Sequence, residues 1–158
     1  MKNLTLQITL DQYQNEEELT DIDRNLLNQA RLATYKSYAP YSNFHVGAAI
    51  LLDDGTIVSG NNQENAAFPS GLCAERSAIF WTGANYPEKK IKSIAVVARP
   101  GGSDLFRGVS PCGACRQSIL EYETRQKSPI RLILVGSDHS ILITHSIGDL
   151  LPLKFEEF

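Results

Sequence analysis

Residues 91–98 read Ile-Lys-Ser-Ile-Ala-Val-Val-Ala, and this stretch decides the fold. A short run so apolar and so rich in β-branched residues predicts a strand buried on both faces. Toward the N-terminus, a helix is expected to begin near Cys73 and to carry Ala78, Ile79 and Trp81, with Gly83 as its stop. Toward the C-terminus, a Gly-rich loop leads to Pro111, and a second helix is expected from about Cys112, since proline suits a helix start. Residues 130–135 form a second buried strand. The order helix, strand, helix, strand predicts an α/β sheet with helices on both faces.

Further out, Val46, Ala48, Ile50 and Leu52 alternate with a period of two. Asp53-Asp54-Gly55 then makes a turn, and residues 56–60 return as the second strand of a hairpin. Residues 20–23 carry a helix start. Leu26, Ala30, Ala33 and Ser37 share one face of that helix, and Pro40 is its expected end. Residues 141–144 read as a strand and 147–151 as a short helix. Residues 4–10 alternate apolar with polar and also predict a strand.

The 158 residues fit one domain, 1–158, able to bury one sizeable core. Fifteen basic residues face 18 acidic ones, a formal net charge of −3. A nucleic-acid surface needs a basic patch or stripe, so this balance argues against such a partner and for a small substrate. No apolar run reaches the length a bilayer demands, so no membrane role is expected. The alternation at the N-terminus is unlike the continuous apolar core of a signal peptide, which makes a cytoplasmic location the expectation.

There are three cysteines, an odd number, and all fall into one pattern: Cys73-Ala74-Glu75, then Pro111-Cys112-Gly113-Ala114-Cys115. Zinc prefers thiolate or imidazole ligands in a tetrahedron. Cys112 and Cys115 lie three residues apart and share a face at a helix start, where free N–H groups favour thiolates. Structural zinc sites are usually closed by four protein ligands, whereas catalytic sites leave one position for water. Three cysteines with none to spare therefore point to an open, catalytic metal. Glu75, two residues from Cys73, is not placed directly beside that ligand on a helix, but at a helix start both can border one cavity, where a carboxylate can take a proton from water and deliver it to a substrate. Against this stand a buried apolar role for the cysteines, a structural zinc knuckle, and a merely solvated Glu75. His45, His139 and His145 lack a ligand partner at useful spacing and read as structural or surface residues.

The flanking sequence carries a wider pattern. Residues 44–49 read Phe-His-Val-Gly-Ala-Ala, residues 62–66 Asn-Gln-Glu-Asn-Ala, residues 73–76 Cys-Ala-Glu-Arg, and residues 110–117 Ser-Pro-Cys-Gly-Ala-Cys-Arg-Gln. In this order and spacing the chain closely resembles the cytidine deaminases of the small homotetrameric branch, over about residues 24–155. A lone Cys-x-x-Cys is a weak motif; the combination is highly specific.

The resemblance implies a three-layer α/β/α sandwich around a mixed five-stranded sheet. It implies one Zn²⁺ per subunit on Cys73, Cys112 and Cys115, with Glu75 as the catalytic acid and base. It assigns Asn62 and Glu64 to the ribose 3′-hydroxyl and Phe44 to packing on the nucleoside. Backbone groups of Ala66 and Ala74 would read the pyrimidine edge. Phe155 would help close a neighbouring subunit's site in a homotetramer. The implied reaction is hydrolytic deamination of cytidine and 2′-deoxycytidine to the uridine products and ammonia, a step of pyrimidine salvage. Arg76 has a physical logic of its own: three thiolates on Zn²⁺ leave a net negative charge, which a cation beside the sulfurs offsets. Two departures stand out. Phe68 replaces a common Tyr, and residues 1–20 extend beyond the family core. The alternatives weighed are deamination of a cytidine-like antibiotic such as blasticidin S, a polynucleotide deaminase, and a non-catalytic zinc module.

Overall fold

The computed structural model describes residues 1–136 and 138–156. One sheet carries the chain, with strand order β1-β6-β5-β4-β2-β3. The strands are β1 (Leu10–Tyr13), β2 (Phe44–Leu52), β3 (Ile57–Asn61), β4 (Ile91–Pro100), β5 (Arg131–Val135) and β6 (Ile141–Thr144). The long helices are α1 (Asp21–Thr34), α2 (Ala74–Asn85) and α3 (Gly113–Gln126). Short 3-10 turns occupy Glu16–Glu18, Phe68–Ser70 and Ile147–Leu150.

β4 is the central strand predicted from its apolar run. It pairs antiparallel with β2 and parallel with β5, which makes the sheet mixed. Its two faces feed two cores. Ile94 and Val96 join Ala48, Ile50, Ala78, Ile79, Ile119 and Leu120 beneath α2 and α3. Ala95 and Val97 join Leu26, Leu27, Ala30 and Ala49 beneath α1. The result is the expected three-layer sandwich. Thr20 caps α1, its Oγ1 accepting the Asp23 N–H at 3.2 Å.

The sheet has six strands where five were implied. The addition is β1, which lies antiparallel to β6 with Leu10 opposite Thr144 and Tyr13 opposite Ile141. The strand expected at residues 4–10 is therefore displaced, because β6 ends where Leu10 begins. α1 stops at Thr34, short of Pro40, leaving Ser37 outside the helix with its hydroxyl donating to the Thr34 carbonyl at 2.8 Å. Gly83 lies inside α2 and does not end it. A Cβ at Gly83 would sit 2.5 Å from Tyr122 Oη, so this glycine lets α2 and α3 approach. Among the described residues no helix is long and apolar enough to cross a membrane.

Candidate active site

α2 and α3 lie on the same face of the sheet and bring their N-termini together. Cys73 is the N-cap of α2 and Cys112 the N-cap of α3, both in extended backbone. Neither side chain caps its own helix, so both sulfurs remain in the space between the helix ends. Cys115 follows one turn into α3 and is fully buried.

The Cys73 and Cys112 sulfurs are 3.9 Å apart and those of Cys112 and Cys115 3.4 Å. All three lie within 4.8 Å of one another, and none is in a disulfide. Four ligands about 2.3 Å from a tetrahedral zinc have edges of roughly 3.8 Å. Two of the three sulfur–sulfur edges are thus close to that spacing, and the donor set suits zinc. The Cys73 thiol is drawn down to about 5, chiefly by the S–H that Cys115 donates to it and further by Arg76. The Cys115 thiol is correspondingly pushed up by sharing that proton and by burial. Binding a divalent cation at the sulfurs displaces the proton that Cys73 and Cys115 share.

The corner left by the sulfurs faces a cavity of about 380 Å³, lined by Phe44, Asn62, Glu64, Glu75 and Arg76 together with Cys73 and Cys112. That size suits a small organic ligand. Glu75, in the first turn of α2, is only 4% exposed, and burial raises its carboxyl pKa. Arg76 directs Nη2 toward the Gly71 carbonyl at 3.4 Å and the Cys73 sulfur at 4.0 Å. Its cation stands beside the thiolates, where their surplus charge calls for one.

Residues 20–128 match the model of the cytidine and deoxycytidylate deaminase zinc-binding region. The chain belongs to the cytidine and deoxycytidylate deaminase family. It is 44% identical over 137 residues to a cytidine deaminase of Sporosarcina psychrophila, spanning 87% of this chain and 93% of that one. It is 36% identical over 146 residues to a cytidine deaminase of Mycobacterium tuberculosis, spanning 87% and 92%. The crystal structure of cytidine deaminase from Burkholderia pseudomallei superposes with a TM-score of 0.70 at 38% identity, covering 87% of this chain and 100% of that one.

Within this deaminase-family site Asn62 and Glu64, both lining the cavity, are tied down by the backbone. Asn62 Oδ1 accepts the Val46 N–H at 2.8 Å, and its Nδ2 donates to the Phe44 carbonyl at 2.9 Å. The amide thereby extends the β2–β3 ladder by one step and fixes the strand that presents Phe44 and Val46. An amide offers two donors and two acceptor lone pairs, so one of each remains for a ligand. Glu64 Oε2 accepts the N–H groups of Tyr41 at 2.9 Å and Ser42 at 3.2 Å, while Oε1 takes the Ser42 hydroxyl. These bonds, led by that of the Ser42 hydroxyl, hold the Glu64 carboxyl below its ordinary pKa. Ser42 was not foreseen from the sequence; the one local signal is that Pro-Tyr-Ser-Asn, residues 40–43, has the residue types of a turn.

Of the other residues singled out, Ala66, Ala74 and Phe155 are not among those lining the cavity. Ala74, buried, is the first residue of α2, and Ala66 lies exposed in the loop before Phe68. Phe68 lines the cavity rim and is 83% exposed. The Phe155 carbonyl accepts from Gln117 Nε2 at 2.9 Å, against α3. Val109 and Leu72 complete the apolar wall, and nothing in their residue type distinguished them from core.

Proposed function

We propose that this enzyme deaminates cytidine and 2′-deoxycytidine by hydrolysis, with zinc on Cys73, Cys112 and Cys115 and with Glu75 as the proton carrier. The observation that carries the reading is the buried Glu75 in the same cavity as three clustered sulfurs at two helix N-termini. Zinc held there supplies a Lewis acid that makes water a nucleophile at neutral pH. Glu75 accepts a proton from the attacking water as its oxygen bonds to C4, and hands that proton to N3 of the ring. Glu75 then carries a second proton from the new C4 hydroxyl to the departing amino group. The C4–N4 bond breaks, and uridine and ammonia result. Arg76 offsets the surplus negative charge of three thiolates on one divalent ion.

Asn62 and Glu64 bind the sugar, with the Glu64 carboxylate accepting the 3′-hydroxyl proton. Phe44 packs on the nucleoside, and backbone groups of Ala66 and Ala74 read the pyrimidine edge. Because the 2′-position is not needed for these contacts, both sugars are substrates. Residues 1–158 act as a single deaminase unit, and residues 1–20 are an addition to its core. The working assembly is a homotetramer in which Phe155, which is 62% exposed, serves a neighbouring subunit. The unpaired cysteines suit a reducing, cytoplasmic setting.

The test is a spectroscopic deamination assay on cytidine and deoxycytidine, with adenosine and blasticidin S in parallel. Turnover of the two cytosine nucleosides is expected. Turnover of only adenosine or only blasticidin S overturns the substrate assignment.

A further inference from the structure

Residues 4–10, Leu-Thr-Leu-Gln-Ile-Thr-Leu, read nearly the same in either direction about Gln7. Leu4 mirrors Leu10, Thr5 mirrors Thr9, and Leu6 mirrors Ile8. The apolar members are exposed: Leu4 by 83%, Leu6 by 53%, Ile8 by 47% and Leu10 by 39%. They lead into β1, the edge strand of the sheet, whose ladder to β6 begins only at Leu10 opposite Thr144. Past Thr144 the chain leaves the sheet and turns into Ile147–Leu150 under the Ser146 cap. Among the described residues, 4–9 therefore carry a strand's alternation with no strand beside them.

We propose that residues 4–10 pair antiparallel with the same residues of a second copy of this chain, across a twofold axis at Gln7. This pairing is independent of the active-site reading. A twofold interface must be self-complementary, with residue i meeting j and j meeting i. The mirrored sequence meets that condition: Leu4 opposes Leu10, Thr5 opposes Thr9, and Leu6 opposes Ile8, each a favourable cross-strand pair. All the aliphatic side chains fall on one face of the ribbon and all the Thr and Gln on the other. The charges agree as well. Continuing the ladder sets Asp11 against Asn3 and Gln12 against Lys2, so no like charges meet. A free two-stranded ribbon is marginal in water, but here each strand is anchored through β1 to a larger sheet. Pairing also closes an exposed apolar edge that would otherwise recruit other chains.

Cysteine cross-linking of the zinc-loaded full chain tests the register. On the dyad Gln7 faces its own copy, whereas Thr5 faces Thr9. Gln7→Cys should give a reducible dimer on a non-reducing gel under mild oxidation. Thr5→Cys alone should cross-link at least about tenfold more slowly, since its sulfurs would lie beyond disulfide reach. The pair Thr5→Cys with Thr9→Cys should restore the dimer, and adding Leu6→Lys and Ile8→Lys to Gln7→Cys should abolish it. Zinc content and deamination rate equal to the parent's certify that each variant is folded. No cross-link at Gln7→Cys, or equal rates at Gln7→Cys and Thr5→Cys, overturns the proposal; the latter would mean a mobile tail or docking elsewhere.

Discussion

Asn62→Asp keeps the shape of the side chain and changes one atom. Oδ1 can still accept the Val46 N–H, but a carboxylate oxygen now faces the Phe44 carbonyl across the 2.9 Å that a hydrogen bond spans in the parent. The variant loses one bond at a buried site and sets two acceptors against each other. Losing a partner there costs about 2–3 kcal/mol. Such a penalty falls on the ionised form alone, because a protonated carboxyl can donate to Phe44 as the amide does. It corresponds to about two pKa units, which raises the introduced carboxyl to roughly 6 in the folded protein against about 4 unfolded. A folded-state pKa above the unfolded one makes the deficit full above about pH 6, and it fades as the pH falls toward about 4. Urea unfolding of variant and parent at each pH isolates the term, since loss of metal in acid affects both alike. A variant as stable as the parent at neutral pH, or a deficit that does not change with pH, refutes the view that Asn62 anchors β2.

Three further outcomes follow from other parts of the molecule. Ser42→Ala removes one of the three hydrogen bonds that set the Glu64 carboxylate. It should raise KM for cytidine by about three- to tenfold and leave kcat within about twofold, and a fall in kcat alone would contradict the positioning role. Gly60→Ala places a Cβ 2.6 Å from Ala78 N in α2, a backbone atom that cannot step aside. It should cost about 1–3 kcal/mol in urea unfolding, and an unchanged midpoint would be contrary to the packing described. Removing metal from the folded protein with a chelator should lower Tm by about 6–12 °C, reversed by zinc and not by magnesium; an unchanged Tm would mean that the sulfur cluster does not hold the helix ends together.

Most of the site was legible because its chemistry is local in sequence. Cys73 with Glu75, and Cys112 with Cys115, each sit within one helix start, and helix starts have their own signals. The hairpin of β2 and β3 was likewise written in alternation and an Asp-Asp-Gly turn. What escaped depends on contacts between distant segments. Gly83 has the residue type of a helix stop, yet its purpose is the approach of Tyr122. Residues 4–10 have the period of a strand, but a strand exists only where a partner runs, and β6 supplies one only from Leu10 onward. The sixth strand follows from that pairing. Ser42 reaches Glu64 across 22 positions, and no local pattern announces it. For Asn62 the resemblance implies a sugar contact, while its engagement with the β2 backbone appears only in the folded chain.

In the proposed mechanism Glu75 moves the proton beside a metal held by three cysteines. Glu75→Ala, measured for bound zinc and for cytidine turnover on the same sample, tests it most directly. One zinc per chain is expected, with turnover reduced by about a thousandfold or more. A zinc-loaded variant that turns over cytidine within about tenfold of the parent would contradict it, since general acid–base catalysis by a positioned carboxylate is worth more than that.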